Sequence, residues 1–285
     1  MYSRYGWLGQ LWRQVVVWLV IGFAVFPVIW IFSASLNPSD TIMGQALIPK
    51  NATFAHYVEL FTSTDHPFGL WLWNSIKVAG ISAALTVLLA SLAAYAFSRF
   101  RFRGRREGLV AMLIVQMFPQ MLAMVALYLL LLKLGQYVPW LGLNTHGGLI
   151  LLYLGGGLGF NAWLMKGYFD TIPRSLEESA MMDGATAFQA FLRIILPLSR
   201  PILAVIFLLA FIGTYSDFLL ANIMLTSRDQ LTFAVGLRIF ISGMYSTRWG
   251  AFSAASLVGA LPIAVIFYLL KDQFVSGLTQ GGVKG

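Results

Sequence analysis

Residues 175–197 read SLEESAMMDGATAFQAFLRIILP, a stretch too polar to cross a membrane. Ser175 and Glu178 have the spacing of a capping box, in which a serine hydroxyl and a glutamate carboxylate bind free backbone N–H groups at the start of a helix. Gly184 should end that helix, because glycine readily adopts the left-handed conformation. The sequence TAFQ that follows repeats the capping-box pattern. The stretch therefore predicts two short helices joined by a sharp bend.

The second of these helices should carry one apolar face and stop at Pro197, whose ring clashes with a carbonyl group one turn earlier. Its apolar side chains recur at helical spacing, at Phe188, Phe191, Leu192 and Ile195. Residues 174–197 would then form a protruding hairpin, called the hairpin below. Helix patterning alone fits equally well an amphipathic hairpin that lies flat on a membrane surface.

The chain around the hairpin is strongly apolar. Hydrophobic residues make up 59% of the 285 positions and charged residues only 11%, a balance that a water-soluble domain cannot bury. Windows of 18 or more residues almost free of charge are long enough to cross about 30 Å of hydrocarbon. They predict six transmembrane helices, at about residues 11–33, 74–97, 108–132, 147–165, 201–225 and 252–271. We therefore expect an all-α integral membrane protein with a single domain, residues 1–285.

The positive charges predict how the chain is oriented in the bilayer. Cytoplasmic loops retain Lys and Arg, because these residues are costly to translocate. Thirteen of the 19 Lys and Arg residues lie in the N-terminal head, the second and fourth connections and the C-terminal tail. Both termini and the hairpin should therefore be cytoplasmic. Since the net charge of +8 is distributed in this way, it indicates membrane orientation and not nucleic-acid binding.

The residues needed for enzymatic chemistry are missing from the sequence. No Gly-Lys pair occurs, so the chain lacks the phosphate-binding loop that ATP hydrolysis requires. His56, His66 and His146 do not have the short spacing of a helical metal site. A single carboxylate, Asp217, falls within a predicted span, which excludes a pair of catalytic aspartates at membrane depth. We expect a non-enzymatic chain that binds neither a metal nor a cofactor.

The hairpin also matches a known sequence motif. Glu178-Ser179-Ala180, then Gly184, then after nine residues Ile194-Ile195-Leu196-Pro197 resemble the EAA motif of permease subunits of bacterial ABC importers. The departure from the motif is Ser179, where alanine is usual. The resemblance implies a type I ABC importer permease fold in the cytoplasmic (inner) membrane of a bacterium. It also implies that the hairpin contains the coupling helix, which docks into a groove on a cytoplasmic ATPase subunit.

The same resemblance implies residue roles and partners. Glu178 would form a salt bridge within the motif or with an arginine of the ATPase, and Asp183 and Gly184 would shape the bend. The implied partners are a homologous second permease subunit, two cytoplasmic ATPase subunits that bind ATP and Mg²⁺, and an extracytoplasmic substrate-binding protein. This machinery would move an oligosaccharide across the membrane by alternating access.

Further segments resemble one branch of this family, the second membrane subunit of maltose and maltodextrin importers. They are WLWNSIKVAGIS, AYAFSRFR, QMFPQMLAMVALY, GLNTHGG and GLTQGGVKG, at residues 71–82, 94–101, 116–128, 142–148 and 277–285. The resemblance makes maltodextrin the expected substrate. It also implies that the tail from Gly277 reaches into the ATPase interface.

Asp217 falls in the outer half of the fifth predicted span, where an ionised carboxylate is costly and usually faces a cavity or a partner. In a continuous helix it would share a face with Thr214 and Ala221, beside a polar stripe formed by Tyr215 and Asn222. One interpretation is that Tyr215, Asp217 and Asn222 border the translocation path. The other is that Asp217 pairs with a basic residue such as Lys77, and the sequence leaves both open.

The outer loop at residues 226–250 corresponds, by resemblance, to the segment that reaches into the binding protein and displaces the sugar. Its predicted tip consists of Gly243, Met244, Tyr245, Ser246, Thr247 and Arg248. Because guanidinium groups suit carboxylates, Arg238 and Arg248 make an acidic oligosaccharide, such as a uronate polymer, the alternative substrate. Contact of the two arginines with solvent or with the binding protein is the simpler explanation.

Two other classes of function stay open at this point. A self-sufficient channel or secondary carrier often builds its site from internal repeats of interrupted helices, and no such repeat is visible in the sequence. A structural interaction protein without a transport role would give no reason for a charged residue at membrane depth.

Overall fold

The computed structural model describes residues 7–41, 43, 45–242 and 247–281, and within these ranges the chain forms helices and no strands. The α-helices, in chain order, are α1 (Trp7–Ser35), α2 (Ala55–Thr62), α3 (Phe68–Arg99), α4 (Arg105–Met117), α5 (Gln120–Tyr137), α6 (His146–Asp170), α7 (Ser175–Met182), α8 (Ala187–Ala190), α9 (Leu196–Leu198), α10 (Arg200–Tyr215), α11 (Leu219–Met224), α12 (Phe233–Ile241) and α13 (Trp249–Gly281). Two 3₁₀ turns, Pro139–Leu141 and Arg228–Gln230, and a π-helical turn, Phe191–Ile195, lie between them. The prediction of an all-α protein is confirmed.

Four of these helices are long and apolar enough to cross a membrane as single pieces. They are residues 9–35 within α1, all of α3, all of α6, and residues 249–273 within α13. Two bent helix pairs pass the same test only when their parts are taken together, namely α4 with α5 and residues 187–198 with α10. The chain is thus a multi-pass integral membrane protein with four to six candidate spans. The predicted windows 11–33, 74–97, 147–165 and 252–271 all lie inside the four single helices.

The third predicted span, residues 108–132, is not one continuous helix. α4 ends at Met117 and α5 begins at Gln120, with Phe118 in an extended conformation at φ −70° and ψ 128°. The cause is Pro119, because a proline disfavours the helical conformation of the preceding residue and supplies no backbone N–H. The prediction of an unbroken span is therefore wrong at this point.

The fifth predicted span, residues 201–225, is broken as well. α10 ends at Tyr215 and α11 begins at Leu219, so Asp217 lies in a turn and not on a helix face. The carboxylate of Asp217 accepts the N–H of Ala221 at 3.0 Å, the group that a continuous helix would bond to the Asp217 carbonyl. Aspartate side chains compete in this way with helical hydrogen bonds. The helix face predicted for Asp217, Thr214 and Ala221 is therefore wrong.

Two predicted loops contain helices. The connection between the first two predicted spans, 11–33 and 74–97, includes α2 and the first turns of α3, and the outer loop at residues 226–250 includes α12. α2 buries His56 and Leu60 on one face. With eight residues, α2 is too short to show a clear periodic pattern.

The described chain divides into two compact units. One unit consists of residues 1–69 and 236–260, and the other of residues 70–235 and 261–285. The first unit contains α1, α2 and the start of α13. The second contains most of α3, all of α4 to α11, and the hairpin.

The core of the second unit lies where the ends of α3 and α6 meet the hairpin. Its buried members are Ala90, Ala94, Tyr95, Ala162, Met165, Phe169, Ile172, Phe191, Ile195 and Ile206. Small residues on α3 and α6 allow membrane helices to approach closely. The hairpin is therefore packed on a dense base of side chains.

α4 and α6 are packed together at a glycine. A Cβ atom at Gly159 of α6 would lie 2.8 Å from the backbone oxygen of Met112 and 3.1 Å from Nε2 of Gln116, both on α4. At Gly155, one turn earlier, a Cβ atom would meet nothing within 4 Å. The missing side chain at Gly159 therefore sets the distance between these two helices.

We expect Gly159→Ala to lower the melting temperature of the purified protein in detergent, because the backbone of α4 would have to move. Overpacking of this kind costs about 1–3 kcal/mol. Gly155→Ala is the matched control on the same helix, and it should be neutral or stabilise the protein by up to about 1 kcal/mol, since alanine favours the helix. Equal melting temperatures for the two variants would contradict the close packing at Gly159.

Candidate functional site

The hairpin forms two helical segments joined by a sharp bend, as predicted. α7 gives way to Asp183, and Gly184 follows with a φ of +90°, a conformation that favours glycine. The second segment begins at Thr186, whose hydroxyl accepts the N–H of Gln189, while the Gln189 side chain accepts the N–H of Thr186. The second capping box is therefore confirmed.

The start of α7 differs from the prediction. Ser175 is the first helical residue, Arg174 occupies the capping position, and no side chain caps the helix. The N–H of Glu178, which Ser175 was expected to bind, instead donates to the carbonyl of Arg174 at 3.0 Å. The helix has begun one residue earlier than the motif indicates, so the predicted capping box of Ser175 and Glu178 is wrong.

Pro197 does not stop the second segment. The chain stays helical from α8 through the π-helical turn to Leu198, and it then bends by 77° into α10. A proline ring needs extra space near the carbonyl groups of the preceding turn, and the wide π-helical turn just before Pro197 is a common way to provide it. The predicted stop at Pro197 is wrong, because the break falls at Ser199 instead.

The predicted apolar stripe of the second segment is only half buried. Phe191 and Ile195 belong to the core, whereas Phe188 and Leu192 are 59% and 45% exposed. A π-helical turn holds more residues than an α-helical one, so spacing counted for an α-helix does not keep all four side chains on one face. The prediction of a single stripe is therefore corrected.

A buried ion pair joins the hairpin to the end of α3. Nε of Arg99 donates to Oε1 of Glu177 at 2.5 Å, and the two side chains are only 8% and 5% exposed. Nη2 of Arg99 also donates to the carbonyl of Ile172 at 3.0 Å. The second oxygen of Glu177 accepts from the hydroxyl of Tyr95 at 3.0 Å. Such additional hydrogen bonds are what make a buried ion pair tolerable in a protein interior.

Sequence reasoning missed both members of this ion pair. Glu177 stands next to the motif residue Glu178, and Arg99 counts in the sequence only as one of several positive charges in a connection. The position of Arg99 could have indicated a special role. It is the last residue of α3, whereas the other arginines of the segment 99–106 come after the end of that helix. No local pattern pointed to Glu177.

Further hydrogen bonds surround the ion pair. The Ser98 hydroxyl donates to Asp170 at the end of α6 at 2.6 Å, and Nη2 of Arg174 donates to the Ser98 carbonyl at 3.0 Å. The Tyr95 ring lies 4.8 Å, between centroids, from the ring of Phe191 in the hairpin. The ends of α3 and α6 and both segments of the hairpin are thus connected through polar and aromatic contacts.

The other side of the hairpin is exposed. The motif residues divide into an exposed group, Glu178, Ser179, Asp183, Gly184 and Pro197, and a half-buried group, Ala180, Ile194 and Leu196. The carboxylate of Glu178 has no ion pair or hydrogen bond within the part of the chain that the structure describes. Met182 and Phe188 add apolar surface and are 87% and 59% exposed. This side of the hairpin can therefore meet another protein.

The carboxylate of Asp217 accepts a hydrogen bond from a side chain of α6. The hydroxyl of Tyr153 donates to Oδ2 of Asp217 at 2.8 Å, and the same oxygen accepts the Ala221 N–H. Among the described residues Asp217 forms no ion pair with Lys77. The interpretation that Asp217 pairs with Lys77 is therefore wrong in the structure described. The Asp217 carboxylate accepts a hydrogen bond from Tyr153 instead.

Tyr215 and Asn222 differ in burial. The ring of Tyr215 is 3% exposed and stacks between Phe211 and Phe233, at centroid distances of 5.5 and 5.7 Å. Asn222 is half-buried, like Asp217. The assignment of Tyr215, Asp217 and Asn222 to a translocation path stays a prediction, and within this chain the Tyr215 ring is closed off by its neighbours.

In the first unit, Arg248 binds two carboxylates. Its Nε donates to Asp40 at 3.1 Å, and Nη1 and Nη2 donate to the two oxygens of Glu59 at 2.8 and 2.5 Å. The other Asp40 oxygen accepts the N–H groups of Gly250 and Ala251 at 2.7 and 3.2 Å, so it caps the start of α13. The cluster Asp40, Glu59 and Arg248 therefore fixes the end of the outer loop.

The predicted tip of that loop is described only in part. Gly243, Met244, Tyr245 and Ser246 lie outside the described residues, and Thr247 is half-buried beside Arg248. The guanidinium group of Arg248 is engaged by Glu59 and Asp40. A role of these residues in substrate release stays a prediction.

Comparison with known proteins identifies the family. Residues 86–280 match the family described as "Binding-protein-dependent transport system inner membrane component". This range covers more than half of the chain and includes the whole hairpin. The chain belongs to this family.

Relatives of known name are permeases. The chain is 46% identical over 283 residues to the maltose/maltodextrin transport system permease protein MalG of Vibrio vulnificus (strain YJ016), covering 95% of each chain. It is 45% identical over 283 residues to the protein of the same name in Escherichia coli (strain K12), again covering 95% of each. We therefore refer to the chain as the permease, a transport component and not an enzyme.

A solved structure shares the fold. The permease is similar to a chain in the crystal structure of a bacterial ABC transporter involved in the import of the acidic polysaccharide alginate, with a TM-score of 0.79 and 25% identity, over 96% of the permease and 99% of that chain. The permease fold expected from the motif is thus found in an ABC importer.

The three histidines of the permease have protein partners. Nε2 of His56 lies 3.0 Å from the Asn37 carbonyl, Nε2 of His146 lies 2.9 Å from the Gln230 carbonyl, and the His66 ring packs against Phe240. Over the described ranges, no three side chains of the types that bind metals come together. The expectation that the permease holds no metal stays a prediction.

Glu177→Gln should destabilise the permease, because Arg99 would stay buried without its counter-ion. Removing one member of a buried ion pair costs about 3–5 kcal/mol. Glu178→Gln is the matched control, since the neighbouring carboxylate is exposed, and it should change stability by about 0.5 kcal/mol or less. Thermal unfolding in detergent measures both variants, and equal losses would show that the Arg99 ion pair is not what holds the hairpin.

The cluster of Asp40, Glu59 and Arg248 should weaken in acid. The hydrogen bond from Arg248 holds the pKa of Glu59 below its ordinary value of 4.5. Because the folded pKa is lowered, the ion pair contributes its full stability above about pH 4.5 and loses it as the pH falls through the lowered pKa.

The measurement is the melting temperature of the permease and of Glu59→Gln between about pH 7 and pH 3. The unaltered permease should have a higher melting temperature than Glu59→Gln at neutral pH. The two melting temperatures should become equal at about pH 3. A difference that stays constant over the whole range would mean that Glu59 does not titrate in contact with Arg248.

Proposed function

We propose that the permease crosses the bacterial inner membrane six times and has both termini in the cytoplasm. In this arrangement α4 and α5 form the third span, and α10 forms most of the fifth. The proposal is supported by the four single helices that can span a membrane and by the Lys and Arg residues, which concentrate at residues 99–106, around the hairpin and at the two ends of the chain.

The hairpin docks into a groove on a cytoplasmic ATPase subunit. The single observation that carries this proposal is the division of neighbouring glutamates, with Glu177 buried against Arg99 and Glu178 exposed without a partner among the residues described. An arginine of the ATPase would pair with Glu178, and Met182 and Phe188 would enter the apolar part of the groove. Asp183 and Gly184 shape the bend between the two segments.

The ion pair makes the hairpin a mechanical link. Because Glu177 and Tyr95 connect the hairpin to α3, and Ser98 connects α3 to α6, a push on the hairpin moves these helices together. Two ATPase subunits that bind ATP and Mg²⁺ supply the push, and the permease itself binds no cofactor. The permease thereby changes between inward-open and outward-open states by alternating access.

The remaining partners follow from the family and from exposed apolar surface. A homologous second permease subunit and lipid would cover the exposed side chains of α1, α4 and α5. An extracytoplasmic binding protein would deliver the substrate to the outer loop, where residues 243–248 displace it. The tail from Gly277 would reach into the ATPase interface. Asp217 and Asn222, with Tyr215 behind them, would border the path.

The substrate proposed is a maltodextrin, since the relatives quoted above are named for maltose and maltodextrin transport. An acidic oligosaccharide is the second candidate, because the structural neighbour imports alginate. The structure weakens one argument for it, as the guanidinium of Arg248 is already bonded to Glu59 and Asp40. Arg238 is exposed, so of these two arginines it is the one that could contact an acidic oligosaccharide.

The test is ATP-driven uptake into vesicles that contain the permease with its second permease subunit, ATPases and binding protein. Glu178→Gln should reduce uptake by about tenfold, since loss of a charge-assisted hydrogen bond costs about 1.5–3 kcal/mol, while thermal stability is unchanged. Asp65→Asn, at an exposed aspartate outside both the hairpin and the loop of residues 226–250, serves as the control and should leave uptake unchanged. Normal uptake by Glu178→Gln would contradict the docking proposal, and uptake by the permease alone without ATP would show a channel or carrier.

The same vesicles decide the substrate. Uptake of a maltodextrin is compared with that of a uronate oligosaccharide of equal length, each delivered with the binding protein encoded for this importer. Preference for the uronate would overturn maltodextrin as substrate and leave the coupling proposal intact.

A further inference from the structure

A cavity of about 470 Å³ lies beside the connection between α3 and α4 in the second unit. Its wall consists of residues between Phe102 and Leu109, with Lys166 of α6 on one side. None of the residues to which a transport role is assigned above lines this cavity, which is at the opposite end of α4 from Pro119. Its volume lies within the range of small-molecule sites, about 300–1,000 Å³.

The wall of the cavity is positively charged. Three cations, Arg105, Arg106 and Lys166, line it together with one carboxylate, Glu107. Lys166 is partly neutralised by Asp170, whose Oδ2 lies 2.5 Å away. The guanidinium group of Arg105 donates a long hydrogen bond, 3.4 Å, to the Ser98 carbonyl, and its charge also acts on the Asp170 carboxylate.

Arg106 is the least engaged of these cations. It is exposed, and within the described chain its guanidinium has neither an ion pair nor a hydrogen bond. The five N–H donors of the Arg106 guanidinium, which lie in one plane, are therefore available to bind an anion. Phosphate oxygens match that fork in geometry and charge.

Two other features of the wall fit the same kind of ligand. α4 starts beside the cavity with Gly104 in the left-handed conformation, at φ +84°, and no side chain caps its first N–H groups. The positive end of a helix dipole favours an anion there. Phe102, which is 46% exposed, and Leu109 give the cavity an apolar edge.

We infer that the cavity binds the phosphate headgroup of an anionic phospholipid of the surrounding membrane. The cations and the start of α4 would hold the phosphate, and Phe102 and Leu109 would contact the beginning of the acyl chains. On the orientation proposed above, the site faces the cytoplasmic leaflet, where basic pockets between membrane helices bind anionic headgroups. The ligand is a lipid and not free phosphate, because the cavity joins cationic and apolar walls next to the membrane.

The competing explanation is that these arginines only orient the chain and attract anionic lipid as a diffuse charge. Arg101 provides the comparison, since it belongs to the same connection, is exposed and does not line the cavity. If the arginines act only as diffuse charge, substitution of Arg101 and of Arg106 should weaken lipid binding equally. If the cavity is a specific site, substitution of Arg106 should weaken it more.

The experiment uses the complete transporter in phosphatidylcholine nanodiscs that contain a small fraction of phosphatidylglycerol. Retention of phosphatidylglycerol by the transporter is measured by native mass spectrometry as that fraction is varied. Arg106→Gln should weaken retention by about fivefold, the effect expected for one positive charge near the headgroups. Arg101→Gln should change it by less than about twofold, and Arg106→Lys should restore only part of it, because an ammonium group lacks the planar fork of donors.

Equal losses for Arg101→Gln and Arg106→Gln, or no loss for either, would overturn the site. Inorganic phosphate at millimolar concentration forms a further arm of the experiment. Displacement of the lipid by phosphate alone would show that free phosphate is the ligand, whereas undisturbed lipid retention supports the phospholipid. The readout is binding, so it does not depend on whether the hairpin docks on an ATPase.

Discussion

The structure of the second unit depends on the buried contact between Glu177 and Arg99. Both side chains are almost completely removed from solvent, at 5% and 8% exposure, so each charge depends on the other for its stability. An isolated charge in that position would cost several kcal/mol. Because Glu177 belongs to the hairpin and Arg99 to the end of a long apolar helix, this single contact decides whether the hairpin is a fixed part of the membrane bundle or a loose appendage.

Neighbouring glutamates give the hairpin two different faces. On a helix, consecutive residues point about 100° apart, so Glu177 can turn inward while Glu178 turns outward. The inward carboxylate stabilises the permease itself, and the outward carboxylate is available for the docking proposed above. This separation allows the exposed surface to be made of polar residues without weakening the core beneath it.

A feature of this structure can be predicted from the sequence when the residues that determine it are close together in the chain. The long apolar helices, the bend at Gly184 and the capping box at Thr186 are local, and they were predicted. The breaks at Phe118 and Ser216 were missed, because a hydropathy window counts apolar side chains and is insensitive to backbone conformation. Glu177 and Arg99 are 78 residues apart, and no periodic pattern records a contact over that separation. The family motif pointed to Glu178 and other exposed residues of the hairpin, and it did not point to the ion pair of Glu177 and Arg99 that supports them.

Asp40 adopts a left-handed conformation with φ +53° and caps a helix that starts more than 200 positions later, the contact with Gly250 spanning 210 residues. A ribosome releases the N-terminal half of the chain long before that helix exists. During biosynthesis the Asp40 carboxylate therefore has none of these partners until residues 248–251 have been made. The start of α13 then supplies backbone N–H groups and Arg248 together, so this part of the first unit can be completed only after synthesis has passed residue 251.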